Sequence, residues 1–272
     1  MRIEAITGLV AEQVDELVRR VDALLSSGVI GRPVGRPGGR PAVLGLRESV
    51  VLVLYLLRHN PAQALAAAIF EVSQSTVSRR WDLLRPLIAP ALADLTPEPR
   101  RIVRAGTALI DGTVCPTWDW NHRDDLYSPK TGYPGFNVQI ACSMDGGIAA
   151  LGPTPIPGAR HDAHAYRASG LHAAMAGIHQ QADLGYVGVD GIDLTPHKRP
   201  WREELPEHHK QDNRTLSTAR AAVERAIAHL KTWRILSEEG GRYRAPLDKF
   251  PETLAAVAAL INLRRYMIVA FE

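Results

Sequence analysis

The sequence predicts an α/β domain preceded by an all-α region. Three observations lead there. Apolar residues recur at helical spacing until shortly past residue 90. Pro86, Pro90, Pro97 and Pro99 then mark a boundary at which the periodicity changes. Beyond it, short apolar runs end in acidic or turn residues, in the order strand, strand, strand, helix, strand, then helices.

The 272 residues suffice for one large domain or two smaller ones, and a composition 46% hydrophobic and 22% charged suits a packed core. No apolar run approaches the ~18–20 residues of a membrane helix; the longest spans Val50 to Leu57. Glu4, Glu12, Asp15 and Glu16 exclude a signal peptide. Two cysteines, Cys115 and Cys142, cannot build a disulfide framework or a zinc knuckle, so a reducing cytoplasm is expected, with no membrane partner. The net charge is only +3, but 27 of the 32 basic residues are Arg. Arginine suits phosphate and base-edge contacts. A GC-rich gene would give the same bias.

Residues 1–27 are expected to form a helix, with Ile3, Ile6, Val10, Val14, Leu17, Val21, Leu24 and Leu25 on one side. Residues 28–42 contain Gly-Arg-Pro three times, a pattern that no regular element tolerates. The segment reads as a linker or as an AT-hook-like stretch. In the latter, Arg32, Arg36 and Arg40 would enter a narrow minor groove.

Residues 43–100 read as a helical domain. Leu46 to Arg58 forms one helix, stopped before Pro61, and Ala62 to Phe70 a second. A third starts near Ser75, capped by Ser73 or Ser75. Short helix, tight turn and Ser-Gln-Ser-Thr-Val-Ser-Arg-Arg-Trp together read as a helix-turn-helix, or else as a plain three-helix bundle. Gln74, Ser75, Thr76, Ser78, Arg79 and Arg80 would then face DNA. The turn lacks its usual glycine, with Glu71 nearby instead.

Residues 101–272 form the α/β domain. Ala108 to Ile110 is a strand running into Asp111. Phe136 to Ala141 and Ile148 to Leu151 form a hairpin about a Met-Asp-Gly-Gly turn. A helix follows from about Ala163 to Ala176, then a strand from Gln180 to Leu184. Residues 200–217 look polar and irregular. Thr218 to Trp233 and Pro251 to Met267 look helical.

Three acidic residues stand at telling places. Asp111 and Asp183 end strands, and Glu224 lies within a helix. Singly each has a plainer role, as a turn residue, a cap or a partner of Arg220 one turn away. Jointly they suit phosphodiester cleavage. Two Mg²⁺ ions ~3.5–4 Å apart would activate water and stabilise the leaving oxygen, and such hard cations want carboxylate ligands.

The motifs around these residues resemble those of DDE-superfamily transposases of the bacterial insertion-sequence and Harbinger-like type. They run as Leu-Ile-Asp-Gly-Thr (109–113), Tyr-Ser-Pro-Lys-Thr-Gly-Tyr (127–133), Phe-Asn-Val-Gln (136–139) and Pro-Gly-Ala-Arg-His-Asp-Ala-His (157–164). Ala-Asp-Leu-Gly-Tyr (182–186), Leu-Thr-Pro-His-Lys (194–198) and Ala-Arg-Ala-Ala-Val-Glu-Arg-Ala-Ile-Ala-His-Leu-Lys (219–231) follow. The resemblance covers roughly residues 43–237. It implies an RNase H-like catalytic domain, with Asp111, Asp183 and Glu224 as catalytic, metal-binding triad. It further implies two Mg²⁺ ions, with Mn²⁺ tolerated, and a nucleoid-associated bacterial protein. The implied substrates are double-stranded terminal inverted repeats and target DNA, bound by a homodimer or larger assembly. The chain departs from its relatives at Ser128-Pro129-Lys130, where a single basic residue remains.

His161 and Asp162 would support the metal site, although Asp162 is also the natural cap of the following helix. His161 and His164 lack a third partner for zinc. Lys130, Arg220 and Lys231 would reach DNA phosphates, or else be solvated. Trp118, Trp120 and Tyr127 are expected in the core, although one could stack on a flipped base. A DNA-binding regulator and a nuclease that hydrolyses without joining strands are the alternative functions.

Overall fold

The computed structural model describes residues 3–27, 43–95, 106–118 and 120–269. The Gly-Arg-Pro segment, with Arg32, Arg36 and Arg40, lies outside the described residues. The chain separates into two compact units, one of residues 1–95 and 232–272, the other of residues 96–231.

In the first unit, the helical pattern of residues 3–25 resolves into two helices, α1 (Ile3–Thr7) and α2 (Ala11–Ser26). The break falls at Gly8, whose φ of +75° suits glycine and strains other residues. α2 buries Val14, Leu17, Val21 and Leu25. α3 (Leu46–His59) is buried along most of its length, and Asn60 stops it in a left-handed conformation. The Asn60 amide then donates to the carbonyls of Gly240 and Arg242 at 2.8 and 2.7 Å.

α4 (Gln63–Ile69) and α5 (Gln74–Ala91) flank a tight turn. Glu71 supplies the positive φ, +53°, that glycine would normally supply there. Ser73 caps α5, its hydroxyl accepting from the Thr76 N–H at 3.2 Å. Val77, Trp81 and Leu84 face inward, while Gln74, Ser75 and Arg79 are exposed. Contrary to the expected boundary, Pro86 and Pro90 lie inside α5. Each removes a helix hydrogen bond, but burial of Leu84, Leu87, Ile88 and Ala91 outweighs that loss. The last helix, α9 (Phe250–Val269), packs on α5. A division at residue 100 would assign it to the sheet; its contacts place it in the first unit. Arg85 of α5, only 2% exposed, pairs with Glu252 of α9 at 2.6 Å.

The second unit is built on a six-stranded sheet. β1 (Ala108–Pro116) pairs antiparallel with β3 (Tyr133–Cys142), from Leu109 opposite Cys142 to Pro116 opposite Gly135. β2 (Tyr127–Ser128), β4 (Ile148–Leu151) and β5 (Ile156–Pro157) also pair with β3. β6 (Gln180–Gln181) lies parallel to β1 on its other edge. Ile110, Ala141, Tyr166, Leu171, Met175 and Tyr186 share one core cluster.

Five expectations change here. β1 continues past Asp111, so that residue lies within the strand rather than at its end. β6 stops at Gln181, short of Leu184. The helix expected over 163–176 splits into α6 (Asp162–Ala168) and α7 (Leu171–Ala174), because Gly170 between them has a φ of +83°. α8 (Glu207–Lys231) begins well before Thr218. Its first turns have no apolar stripe, but Lys210 pairs with Glu207 and Glu204 at 3.5 and 3.6 Å. Trp118, Trp120 and Tyr127, expected in the core, are exposed. Among the described residues no helix is long and apolar enough to cross a membrane.

Candidate active site

Asp111, Asp183 and Glu224 approach one point from a strand, a turn and a helix. Asp111 lies in β1. Asp183 follows β6 and caps the 3-10 turn Leu184–Tyr186, accepting from the Gly185 N–H at 2.8 Å. Glu224 stands on the exposed side of α8, one turn after Arg220, while its neighbours Val223 and Ala226 anchor the helix.

The Arg220 guanidinium is the meeting point. Its Nη2 lies 3.9 Å from Asp111, 3.8 Å from Asp183 and 4.0 Å from Glu224. No two of those oxygens can then be further apart than twice that distance, about 8 Å, a span that a pair of bridging cations can cover. The i−4 pairing of Arg220 with Glu224 therefore belongs to a larger cluster.

One guanidinium cannot balance that much negative charge. The Asp111 carboxyl is raised from 3.8 to about 6, first by burial and then by the nearby charge of Asp183, against the opposing pull of the Gly112 N–H and Arg220. The donor set suits a hard divalent cation, being all oxygen, partly desolvated and short of positive charge. Among the described residues no three such side chains stand close enough to chelate an ion as placed. The oxygens are arrayed around Arg220 Nη2.

A fourth carboxylate, Asp162, adjoins the triad and contributes to raising Asp111. It is the first residue of α6 and not its cap. His161 caps that helix instead, Nδ1 accepting from the His164 N–H at 3.3 Å. Lys130, itself exposed, reaches Asp162 at 3.2 Å, and the charges of Asp162, Asp183 and Asp111 hold its ammonium more firmly protonated.

Beneath these groups runs a buried polar chain to which sequence reasoning gave no role. Tyr186 donates to Gln139 at 2.7 Å, Gln139 to Asn137 at 2.8 Å, and Asn137 to Asp162 at 2.9 Å. Asn137 and Gln139 alternate along β3, so both project from one face of the sheet. Two amides spaced by two on an otherwise apolar strand were the available signal. Gly112 makes room for the chain. A Cβ there would stand 2.5 Å from the Gln139 amide and 2.6 Å from Asp162.

Lys231, at the end of α8, donates to the Val114 carbonyl and lies 3.7 Å from Cys115 Sγ. Cys115 is fully buried, which pushes its thiol up and keeps it protonated. In the first unit, Gln74, Ser75 and Arg79 stand exposed on α5, whereas Arg80 is half-buried and reaches the Leu44 carbonyl at 3.5 Å.

Residues 110–262 match the family described as DDE superfamily endonuclease. Residues 42–94 match the helix-turn-helix of DDE superfamily endonucleases. A relative from Streptomyces albus G, named as a candidate transposase for insertion sequence element IS112, is 32% identical over 226 residues, covering 82% of each chain. No solved structure matches the chain.

Proposed function

The chain belongs to the DDE superfamily of endonucleases and transposases, and from that premise we propose that it binds the terminal repeats of a mobile element, cuts the DNA there and joins it to a target. The observation that carries the reading is the convergence of three carboxylates, from strand, turn and helix, on one Arg220 nitrogen.

In this reading the second unit is an RNase H-like domain and Asp111, Asp183 and Glu224 would hold two Mg²⁺ ions, with Mn²⁺ an acceptable substitute. Bound divalent cations supply the Lewis acidity that phosphodiester cleavage needs. The protein's own residues do the rest. Asp111, partly desolvated and raised to about 6, gains most from a second positive charge. Arg220, whose planar fork suits a phosphate, would be the group to contact DNA once cations neutralise the carboxylates it now faces. Asn137 and Lys130 fix the Asp162 carboxylate, which orients water or the scissile phosphate; His161 caps the helix that carries it. Lys231 braces β1 beside the triad.

The first unit supplies recognition. Gln74, Ser75, Thr76, Ser78 and Arg79 lie on the leading turns of α5, the part of a recognition helix that meets base edges and phosphates. Arg80, Arg32, Arg36 and Arg40 add phosphate or minor-groove contacts. Joining two ends to one target calls for two copies of the chain on DNA.

The decisive experiment replaces Asp183 by Asn. Mg²⁺-dependent cleavage of terminal-repeat DNA is expected to fall by at least ~10³-fold while DNA affinity stays within a factor of two or so. Undiminished cleavage would remove the triad. Cleavage by the parent protein without strand joining would leave a hydrolytic nuclease.

A further inference from the structure

Three arginines from three separate elements gather at the end of α3. Arg58 stands in the last turn of α3, Arg234 opens the 3-10 turn Arg234–Leu236, and Arg264 lies on α9. All three belong to the first unit. Arg58 is held in place but not neutralised. It is half-buried, its Nη1 donates to the Thr232 hydroxyl at 2.7 Å, and its guanidinium lies 5.7 Å from the centre of the Trp233 ring. Gly8 leaves room for it, since a Cβ there would stand 3.1 Å from Arg58 Cδ and 3.2 Å from Nε. Among the described residues no carboxylate pairs with Arg58 or Arg234, and the loose pair of Arg264 with Glu4, at 3.8 Å, is exposed. Burial first, then the charges of Arg264 and Arg234, pull the Arg58 guanidinium below its ordinary range, so both neighbours lie within electrostatic reach of it.

A cation in the last turn of a helix complements its dipole. That accounts for Arg58 alone. It gives no reason for two further cations from the far end of the sequence to crowd it. Such crowding is unfavourable in the free chain and is relieved when an anion binds among the three. Place narrows the choice of anion. The end of α3 and the turn before α5 are separated by α4, seven residues and so only about 10 Å long. In a helix-turn-helix the first helix crosses the phosphate backbone while the second enters the groove. Guanidinium groups beside the start of α4 therefore stand where a strand's phosphates pass, and their planar forks match phosphate oxygens.

We propose that Arg58, Arg234 and Arg264 form a phosphate-binding site for the DNA backbone flanking the bases that α5 reads. Residues after Lys231 then touch DNA directly, as well as completing the core of the first unit. The inference rests on the reading of that unit as the part that binds DNA.

The test uses the full chain with Arg234→Ala, Arg264→Ala and the two combined. Both side chains are exposed, so thermal melts are expected to stay close to the parent's. Fluorescence anisotropy over a salt series reads affinity for a terminal-repeat duplex and for a duplex of scrambled sequence. Each single variant is expected to bind both duplexes about five- to tenfold more weakly at ~0.1 M salt, and to flatten the slope of log affinity against log salt by ~1. The preference for the repeat should not change, because phosphate contacts carry no sequence information. Neutral methylphosphonate linkages, scanned along the flank of the repeat, are expected to weaken the parent at one or two positions and the double variant at neither. Unchanged affinity in the double variant would overturn the site, as would weaker affinity with an unchanged slope; either leaves the DNA-binding reading standing if the parent binds. A parent that binds neither duplex would remove both. A polyglutamate peptide bound by the parent and lost by the double variant, with DNA binding intact, would also overturn the proposal and assign the patch to an acidic protein segment.

Discussion

Asp111 shows how a single residue carries a cost that function explains. Its folded carboxyl titrates at about 6, against 3.8 when free, so the folded chain keeps a proton between those values that the unfolded chain has released. Metal-free stability therefore falls as pH rises from about 4 to 6, by up to about 3 kcal/mol for a shift of this size. Asp111→Asn keeps the acceptor for Gly112 but has no charge to desolvate. In chelator at pH 7 it is expected to melt higher than the parent, with the difference vanishing near pH 4. A lower melting point at pH 7 would contradict the assignment. The three carboxylates that surround Arg220 could be singled out because acidic side chains stood next to apolar runs in an ordered set of motifs. Arg220 was legible only as a partner of Glu224 or a contact to DNA phosphate, since no pattern announces that one nitrogen will face carboxylates from three elements. The Tyr186–Gln139–Asn137–Asp162 chain was less legible still. Its links join residues up to 47 positions apart, and only the register of β3 brings them together.

At the scale of elements, the sequence disclosed helices where an apolar stripe existed and lost them where other forces act. The first turns of α8 are polar and held by charge pairs, so they looked like a loop. α5 runs through two prolines because burial outweighs the hydrogen bonds they remove. The α5–α9 contact offers a further measurement. Arg85 is buried with Nε and Nη1 unbonded, Trp81 stacked near it and Asp82 a distant 3.9 Å away, so Glu252 is its main counter-charge. Glu252→Ala is expected to destabilise the fold by about 2 kcal/mol in denaturant melts, less than for a pair with both partners buried, since Glu252 is half-exposed. Adding Arg85→Met should restore much of that loss, because a thioether side chain leaves no buried charge behind. A double variant as unstable as the single one would show that Arg85 contributes through packing rather than charge.

For the molecule as a whole, change of periodicity correctly signalled an α/β region after a helical one. It could not signal that residues 232–272 fold with the first unit, because sequence spacing is silent about which earlier element a late helix covers. A chain ended after Lys231 removes α9, and with it the apolar side chains Leu254, Val257, Leu260 and Leu263. It is expected to lose the cooperative melt of the first unit and to bind terminal-repeat DNA at least ~10-fold more weakly, as local unfolding of the recognition helix would require. Titration by fluorescence anisotropy reads the second effect, and an unaltered affinity would show that α1 to α5 suffice.

That discontinuity also sets an order of events at the ribosome. The helices that would read DNA are synthesised early but lack their last packing partner until more than a hundred further residues have emerged. A nascent or prematurely terminated chain would then lack part of the unit proposed to read DNA. Under the proposed function, competence to bind the element would arrive together with the residues proposed to cut it, and fragments would not occupy the element's ends without acting.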